Sequence, residues 1–225
     1  MEEFHTGPKN YYKDTYVKCY GTGIIGIVYS YVRRSMEKHY DSRNDLKSII
    51  EVGCGTGQYF ASVKQKFDLY LMTDIDQNLI SNIDINFPNV KFAQADASNL
   101  ADFTDSSFDR LIATCLLPHL DKPYQALVEW RRVIRDGGYL VVYLAPEPGI
   151  LVRFVRNFFI YPKQRKLGIE NPRLLTYSQH KNHYPAMNSM VKEVFKADSI
   201  KRKRFPPLPW NFMLFEVLHI KVSKN

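Results

Sequence analysis

The chain has 225 residues, 45% of them hydrophobic and 14% aromatic, which suits one globular domain with a sizeable core and excludes a disordered or low-complexity protein. Three cysteines, Cys19, Cys54 and Cys115, are too few and too scattered for a disulfide framework or a C-x-x-C metal site, so a reducing, cytoplasmic setting is expected. The net charge of +8 is uneven: residues 1–150 carry 16 Lys and Arg against 19 Asp and Glu, and residues 151–225 carry 15 against 4. The last third therefore points to an anionic partner, whether small molecule, nucleic acid or membrane surface, with a solvated basic face as the competing reading.

Met1-Glu2-Glu3 is acidic and has no apolar run behind it, so no signal peptide is expected. The apolar runs near 24–28 and 139–144 are far shorter than the ~20 residues that span a bilayer. Residues 1–23 collect Tyr11, Tyr12, Tyr16 and Tyr20 with Gly21 and Gly23. They are too aromatic for a free tail and too polar for a core. A lid over the ligand is expected, with Tyr12 and Tyr16 touching substrate; packing across a sheet edge is the alternative. Residues 24–38 have helical apolar spacing, with Arg33, Arg34 and Lys38 on the other side.

A first strand over 47–52 runs into Glu51-Val52-Gly53-Cys54-Gly55-Thr56-Gly57, and a helix is expected over 57–66. Glycines here let the backbone turn sharply and approach a ligand. A dinucleotide loop would read G-x-G-x-x-G and a phosphate loop would end G-K-S/T; neither is present. A second strand over 67–73 ends on Asp74-Ile75-Asp76. Asp74 stands 21 residues past Gly53, where an acid accepts hydrogen bonds from a ribose diol. Asp76 is the alternative cap of a helix over 77–83. A third strand, 90–95, closes on Asp96-Ala97. A fourth ends near Cys115 and is followed by Leu116-Leu117-Pro118-His119-Leu120. An amphipathic helix over 123–135 ends at the glycine turn 136–138, and 139–144 is a fifth strand. Further on, a basic and aromatic helix is expected over 150–160, another over 187–195, and strands over 199–204 and 212–222.

The E-x-G-x-G-x-G loop, the acids after strands two and three, the Ser106-Ser107-Phe108-Asp109 opening of strand four and the Arg132-Val133-Ile134-Arg135-Asp136-Gly137-Gly138 run together resemble the class I S-adenosylmethionine (AdoMet) methyltransferases of the small-molecule branch. Asp136 stands where that family usually has Pro. The resemblance covers roughly 47–145. It implies an α/β fold, a doubly wound, mostly parallel seven-stranded sheet with helices on both faces and an antiparallel last strand. It implies AdoMet as cofactor, held by Glu51, Gly53, Cys54, Gly55 and Gly57, by Asp74 and Ile75 at the ribose, by Asp96 and Ala97 at the adenine, and by Cys115. It also implies one methyltransferase domain over the whole chain: a lid and helix at 1–46, the AdoMet core at 47–145, a substrate-covering insertion at 146–198 and closing strands at 199–225.

Methyl transfer to a hydroxyl needs a base, and histidine suits neutral pH. His119, His180 and His183 are the candidates, with Arg153 and Asn182 as substrate contacts. Two histidines at i and i+3 without an adjoining Cys or carboxylate make a poor metal site, and none is expected. The expected acceptor is a small or glycan-type molecule methylated at oxygen. The glycan element rests on a whole-chain resemblance to bacterial methyltransferases of surface-polysaccharide and secondary-metabolite synthesis. Competing readings are an RNA methyltransferase that uses the basic last third, a non-catalytic AdoMet-binding partner protein and, for residues 150–160, a helix lying on a membrane surface.

Overall fold

The computed structural model describes Thr15 and residues 17–224; Tyr11, Tyr12 and Tyr16 lie outside the described residues. Seven strands form one sheet: β1 (Ser48–Val52), β2 (Leu69–Asp74), β3 (Val90–Gln94), β4 (Phe108–Thr114), β5 (Ile134–Leu144), β6 (Ser199–Phe205) and β7 (Phe215–Lys221), in the order β3-β2-β1-β4-β5-β7-β6. Strands β1 to β5 are parallel, and β7 runs antiparallel to both β5 and β6. This is the fold that the sequence led us to expect. Strand order reverses between β1 and β4, which opens a crevice at their carboxyl ends.

The central strands are covered on both faces, which is why apolar residues stand at successive positions, as at Ile49-Ile50 and Leu111-Ile112-Ala113. Successive residues of β1 and β4 enter opposite cores. Ile50, Leu111 and Ala113 pack with Trp130, Met187 and Val191 of α4 (Pro123–Val133) and α8 (Tyr184–Val194). Ile49 and Ile112 pack on the other side with Val32 and Met36 of α2 (Gly23–Glu37), which follows the short α1 (Val17–Tyr20). The remaining helices are α3 (Gln77–Ser81), α5 (Ile150–Val155), α6 (Tyr161–Lys166) and α7 (Pro172–Gln179).

Three expectations are corrected. The helix expected over 57–66 is only a 3₁₀ turn, Phe60–Ser62, after which Val63 is extended. Tertiary contacts override the local preference here. Tyr59 donates to Glu37, while Gln65 donates to the Leu46 carbonyl and accepts from Arg110 at 2.7 Å. A regular helix would not deliver both side chains to that cluster. Residues 134–138, expected as a helix end and turn, belong to β5: Arg135 is held by Asp109 at 2.7 Å and Gly137 N–H donates to the Val222 carbonyl. The helix expected over 150–160 is α5 running into a widened π turn, Arg156–Ile160, and then α6. The sequence reading did not foresee α7.

Between α2 and the sheet lies a closed polar cluster. Arg110, in the middle of β4, is fully buried and binds Glu37 at 2.5 Å, with its guanidinium carbon 3.8 Å from the centre of the Tyr40 ring. His219 of β7 joins through Tyr40 Oη at 3.0 Å and the Ser35 carbonyl at 3.1 Å.

Candidate active site

The carboxyl ends of β1 to β4 form an acidic rim. After β1, Gly53, Gly55 and Gly57 all have left-handed backbones, with φ of 64°, 55° and 73°. A Cβ on Gly53 would strike Leu116, whereas one on Gly55 would project into open space. The loop is therefore packed at one end and accessible at its middle. Cys54, buried, anchors it by donating its N–H to the Thr73 carbonyl. Asp74, also buried, accepts from Gly55 N–H at 2.8 Å and from Asp76 N–H at 3.0 Å, so β2 and the loop are locked together. Ile75 is exposed beside it, and Asp76 caps α3 through Asn78 N–H. Asp96 sits exposed after β3 and accepts from Ser98, while the buried Ala97 gives its carbonyl to Trp130 Nε1. Cys115 follows β4 with a left-handed φ of 52°.

Glu51, at the end of β1, is fully buried. Tyr70 donates to one carboxylate oxygen at 2.7 Å and the other has no partner. Burial pushes its pKa up to about 8. The acceptors Asp74 and Asp96 beside a loop without Lys or Arg, with the Glu51 carboxyl buried beneath it, suit a ligand that carries a diol and an amine. This set does not suit a phosphate. AdoMet, with its ribose and adenine, fits it.

A second constellation stands past β5. Glu147 receives Arg156 on one oxygen and His180 Nδ1 on the other, the latter at 2.6 Å. Burial alone would raise the Glu147 carboxyl. The His180 hydrogen bond and the Arg156 charge outweigh it and hold the pKa below the usual carboxylate value. An ionised carboxylate only accepts, so Nδ1 of His180 carries a proton and donates it to Glu147. The His119 ring packs edge-on to His180 with centroids 4.6 Å apart. Burial first, then the His180 charge, lowers its pKa and keeps it neutral. Glu147, His180 and His183 line a cavity of about 120 Å³ together with Arg153, Arg156, Asn157, Arg173 and Tyr177. The two constellations adjoin at Cys115, whose thiol is pushed up to about 12 by burial and, more weakly, by the nearby Glu147 charge, against the opposing charge of Arg156.

The structure thus gathers His180, His183 and Arg153 on one cavity and sets His119 behind His180. Asn182 is placed differently. Its side-chain amide donates to the Leu117 and Leu120 carbonyls, at 3.0 and 2.6 Å, and pins the loop after β4. Glu147 was missed by the sequence reading, whereas Arg156 and Arg173 belong to the basic stretch 151–173 that it read as facing an anionic group on the acceptor. The signal for Glu147 was its isolation, since no other acid lies between Asp136 and Glu170. Among the described residues no three His, Cys, Asp or Glu side chains converge to hold a metal, and no helix is long and apolar enough to cross a membrane.

Residues 50–142 match the family described as a methyltransferase domain. A malonyl-[acyl-carrier protein] O-methyltransferase of Halalkalibacterium halodurans is 25% identical over 144 residues, which cover 61% of this chain and 52% of that protein. An O-methyltransferase of Aspergillus nomiae is 32% identical over 131 residues, covering 51% of this chain and 56% of that one. The chain therefore spans about half the length of these curated relatives. In fold, it is similar to an S-adenosylmethionine-dependent methyltransferase of Mesorhizobium loti, with a TM-score of 0.62 at 14% identity, covering 88% of this chain and 100% of that one. With the strand order, these matches make residues 50–142 a methyltransferase domain of class I, Rossmann-like fold, and its acidic rim suits S-adenosylmethionine as cofactor.

Proposed function

We propose that the protein methylates an oxygen of a small-molecule acceptor bound in the cavity beside Glu147, with His180 as the base. The observation that carries this reading is the 2.6 Å bond between His180 Nδ1 and Glu147, which presents an oriented imidazole at a cavity wall. AdoMet supplies a methyl group already activated on its sulfonium. What remains for the chain is to hold both molecules and accept one proton.

Asp74 and Ile75 hold the ribose side, Asp96 and Ala97 the adenine side, and Glu51 with the glycine loop and Cys115 the methionine side. Glu147 is a positioning residue: it fixes the His180 tautomer and stabilises the imidazolium formed when Nε2 takes the acceptor's hydroxyl proton. Arg156 keeps Glu147 ionised. His119, neutral and low in basicity, supports the His180 ring rather than taking the proton itself. Residues 146–198 supply the walls of the acceptor site. Lys163 Nζ ties them to the N-terminal segment through Thr22 Oγ1 at 2.7 Å, which suits the lid role expected for that segment. Two relatives that are O-methyltransferases support oxygen as the methylated atom. The RNA reading draws less support, because Arg202 and Arg204 of the basic strand β6 are both paired with Glu216.

The test uses AdoMet labelled on its methyl group, incubated with the small-molecule fraction of a cell extract. Label should appear in an acceptor with the wild-type protein. His180→Ala should lower transfer by about 10²- to 10⁴-fold while AdoMet binding persists. Undiminished transfer by that variant would contradict the assignment.

A further inference from the structure

Arg153 and Arg173 line the same cavity with no counter-charge among the described residues. Arg153 lies one helical turn before Asn157, and Arg173 of α7 donates to Asn157 Oδ1 at 2.9 Å. The three side chains line the same cavity. Arg156, which also lines it, is neutralised by Glu147. Among the described residues no carboxylate pairs with Arg153 or Arg173, although most of the other arginines of the last third find one or lie apart from each other. Two guanidinium groups held at one cavity repel each other unless an anion lies between them. His183 stands at the same wall and adds a donor. Beside Arg153 and Asn157 in the chain, the Phe154 and Phe158 rings lie tilted with centroids 4.6 Å apart and are 51% and 65% exposed.

We infer that Arg153 and Arg173 form a subsite for a phosphoryl group carried by the acceptor. This rests on the reading that the cavity is the acceptor site. Two uncompensated cations match the charge of about −1.5 to −2 on a phosphate monoester, and arginine forks bind its oxygens in pairs. The acceptor then lies with its phosphoryl group at the two arginines and its hydroxyl against His180. The source of the phosphoryl group is a soluble ester or a lipid headgroup whose tail runs over Phe154 and Phe158.

The full chain is titrated with inorganic phosphate at constant ionic strength, with chloride as the control. It is also sedimented with vesicles of phosphatidic acid or of phosphatidylcholine. Arg153→Gln and Arg173→Gln change exposed side chains, so both variants should fold; Arg165→Gln, exposed on α6 and away from the cavity, is the comparison. Phosphate should bind the wild type and Arg165→Gln alike. Each cavity variant should bind about tenfold more weakly or worse. Retention on phosphatidic acid but not phosphatidylcholine vesicles, lost in the same variants, would identify a lipid headgroup. A wild type indifferent to phosphate and to both vesicles, or cavity variants that bind as well as wild type, would overturn the inference. AdoMet titration run in parallel separates the two readings. Cofactor binding without phosphate binding removes only the subsite. Phosphate binding without cofactor binding removes the proposed methyl transfer and leaves the anion site.

Discussion

Two arginines in this protein are sunk against a glutamate with histidine and tyrosine close by, and only one pair faces open space. Arg110 and Glu37 have 0% and 2% of their side chains exposed, and Tyr40, Tyr59, Gln65 and His219 complete a closed packing around them. Arg156 and Glu147 have 12% and 10%, and their neighbours His180 and Arg153 line a cavity. The same residue types serve different ends. Where every polar atom is turned inward, the cluster fastens α2 and the segment after the glycine loop to the sheet. Where one face is left open, the carboxylate orients a histidine at a cavity wall.

The largest effect is expected in the closed cluster. Glu37→Leu strands a buried guanidinium and should cost about 3–5 kcal/mol in urea denaturation. Replacing Arg110 with Met in the same variant should restore much of that loss, since an apolar pair of similar volume removes the stranded charge. A loss below about 1 kcal/mol in the single variant would show that water reaches Arg110 and that the contrast is false.

Glu147→Gln should behave in the opposite way. Arg156 borders a cavity and can be solvated, so the stability loss should stay within about 1–2 kcal/mol. Methyl transfer should fall about a hundredfold, because the amide no longer fixes the His180 tautomer or supports its charge. AdoMet affinity should not change. Equal losses of stability in Glu147→Gln and Glu37→Leu would erase the distinction between the two clusters.

Stability should also depend on pH through the closed side. Burial, helped by the His39 and Arg110 charges, holds His219 down at about 4. An unfolded histidine titrates near 6.5, so below that pH the unfolded chain takes up a proton the folded chain refuses, and stability falls by about 1.4 kcal/mol per pH unit. Glu51, raised to about 8, acts in reverse. Above its unfolded value near 4.3 the folded chain keeps a proton that the unfolded chain has lost, so stability falls as pH rises toward 8. The two slopes roughly cancel between 4.3 and 6.5, and the buried His119, held down at about 3, leaves stability falling by about 1.4 kcal/mol per unit as pH drops through that window. From pH 6.5 to 8 only the Glu51 contribution remains, a loss of about 2 kcal/mol. Glu51→Gln should flatten that decline, as denaturation at pH 6.5 and 8 would show.

The smallest effect concerns the cap of α3. Asp76→Ala should cost about 1 kcal/mol of stability by leaving Asn78 N–H without its acceptor, and should leave Asp74 in place. A large loss of AdoMet affinity in this variant would place Asp76 in the binding site itself.

The same contrast explains what the sequence could tell. The strands and the glycine loop were legible because their signals are local: apolar runs, glycines that need left-handed backbone, and acids at strand ends. The polar clusters were not, because their partners are distant in the chain. Arg110 meets Glu37 across 73 residues, and His180 meets Glu147 across 33. Arg110 read as one polar residue in a strand, and Tyr59 and Gln65 as residues of a helix, because the group that recruits them is assembled only in three dimensions. The widened turn at Arg156 has no local sequence cue either. Asn182 was chosen for its place in a polar, histidine-rich run, and its amide turned out to be spent on two loop carbonyls.

The most direct test of the account is a calorimetric titration of the protein with AdoMet, on the wild type and on Asp74→Ala. The acidic rim predicts binding in the micromolar range to the wild type and a loss of about tenfold or more in the variant, where the loop loses its anchor and the ribose its acceptor. No binding to the wild type, or equal binding to both proteins, would contradict it.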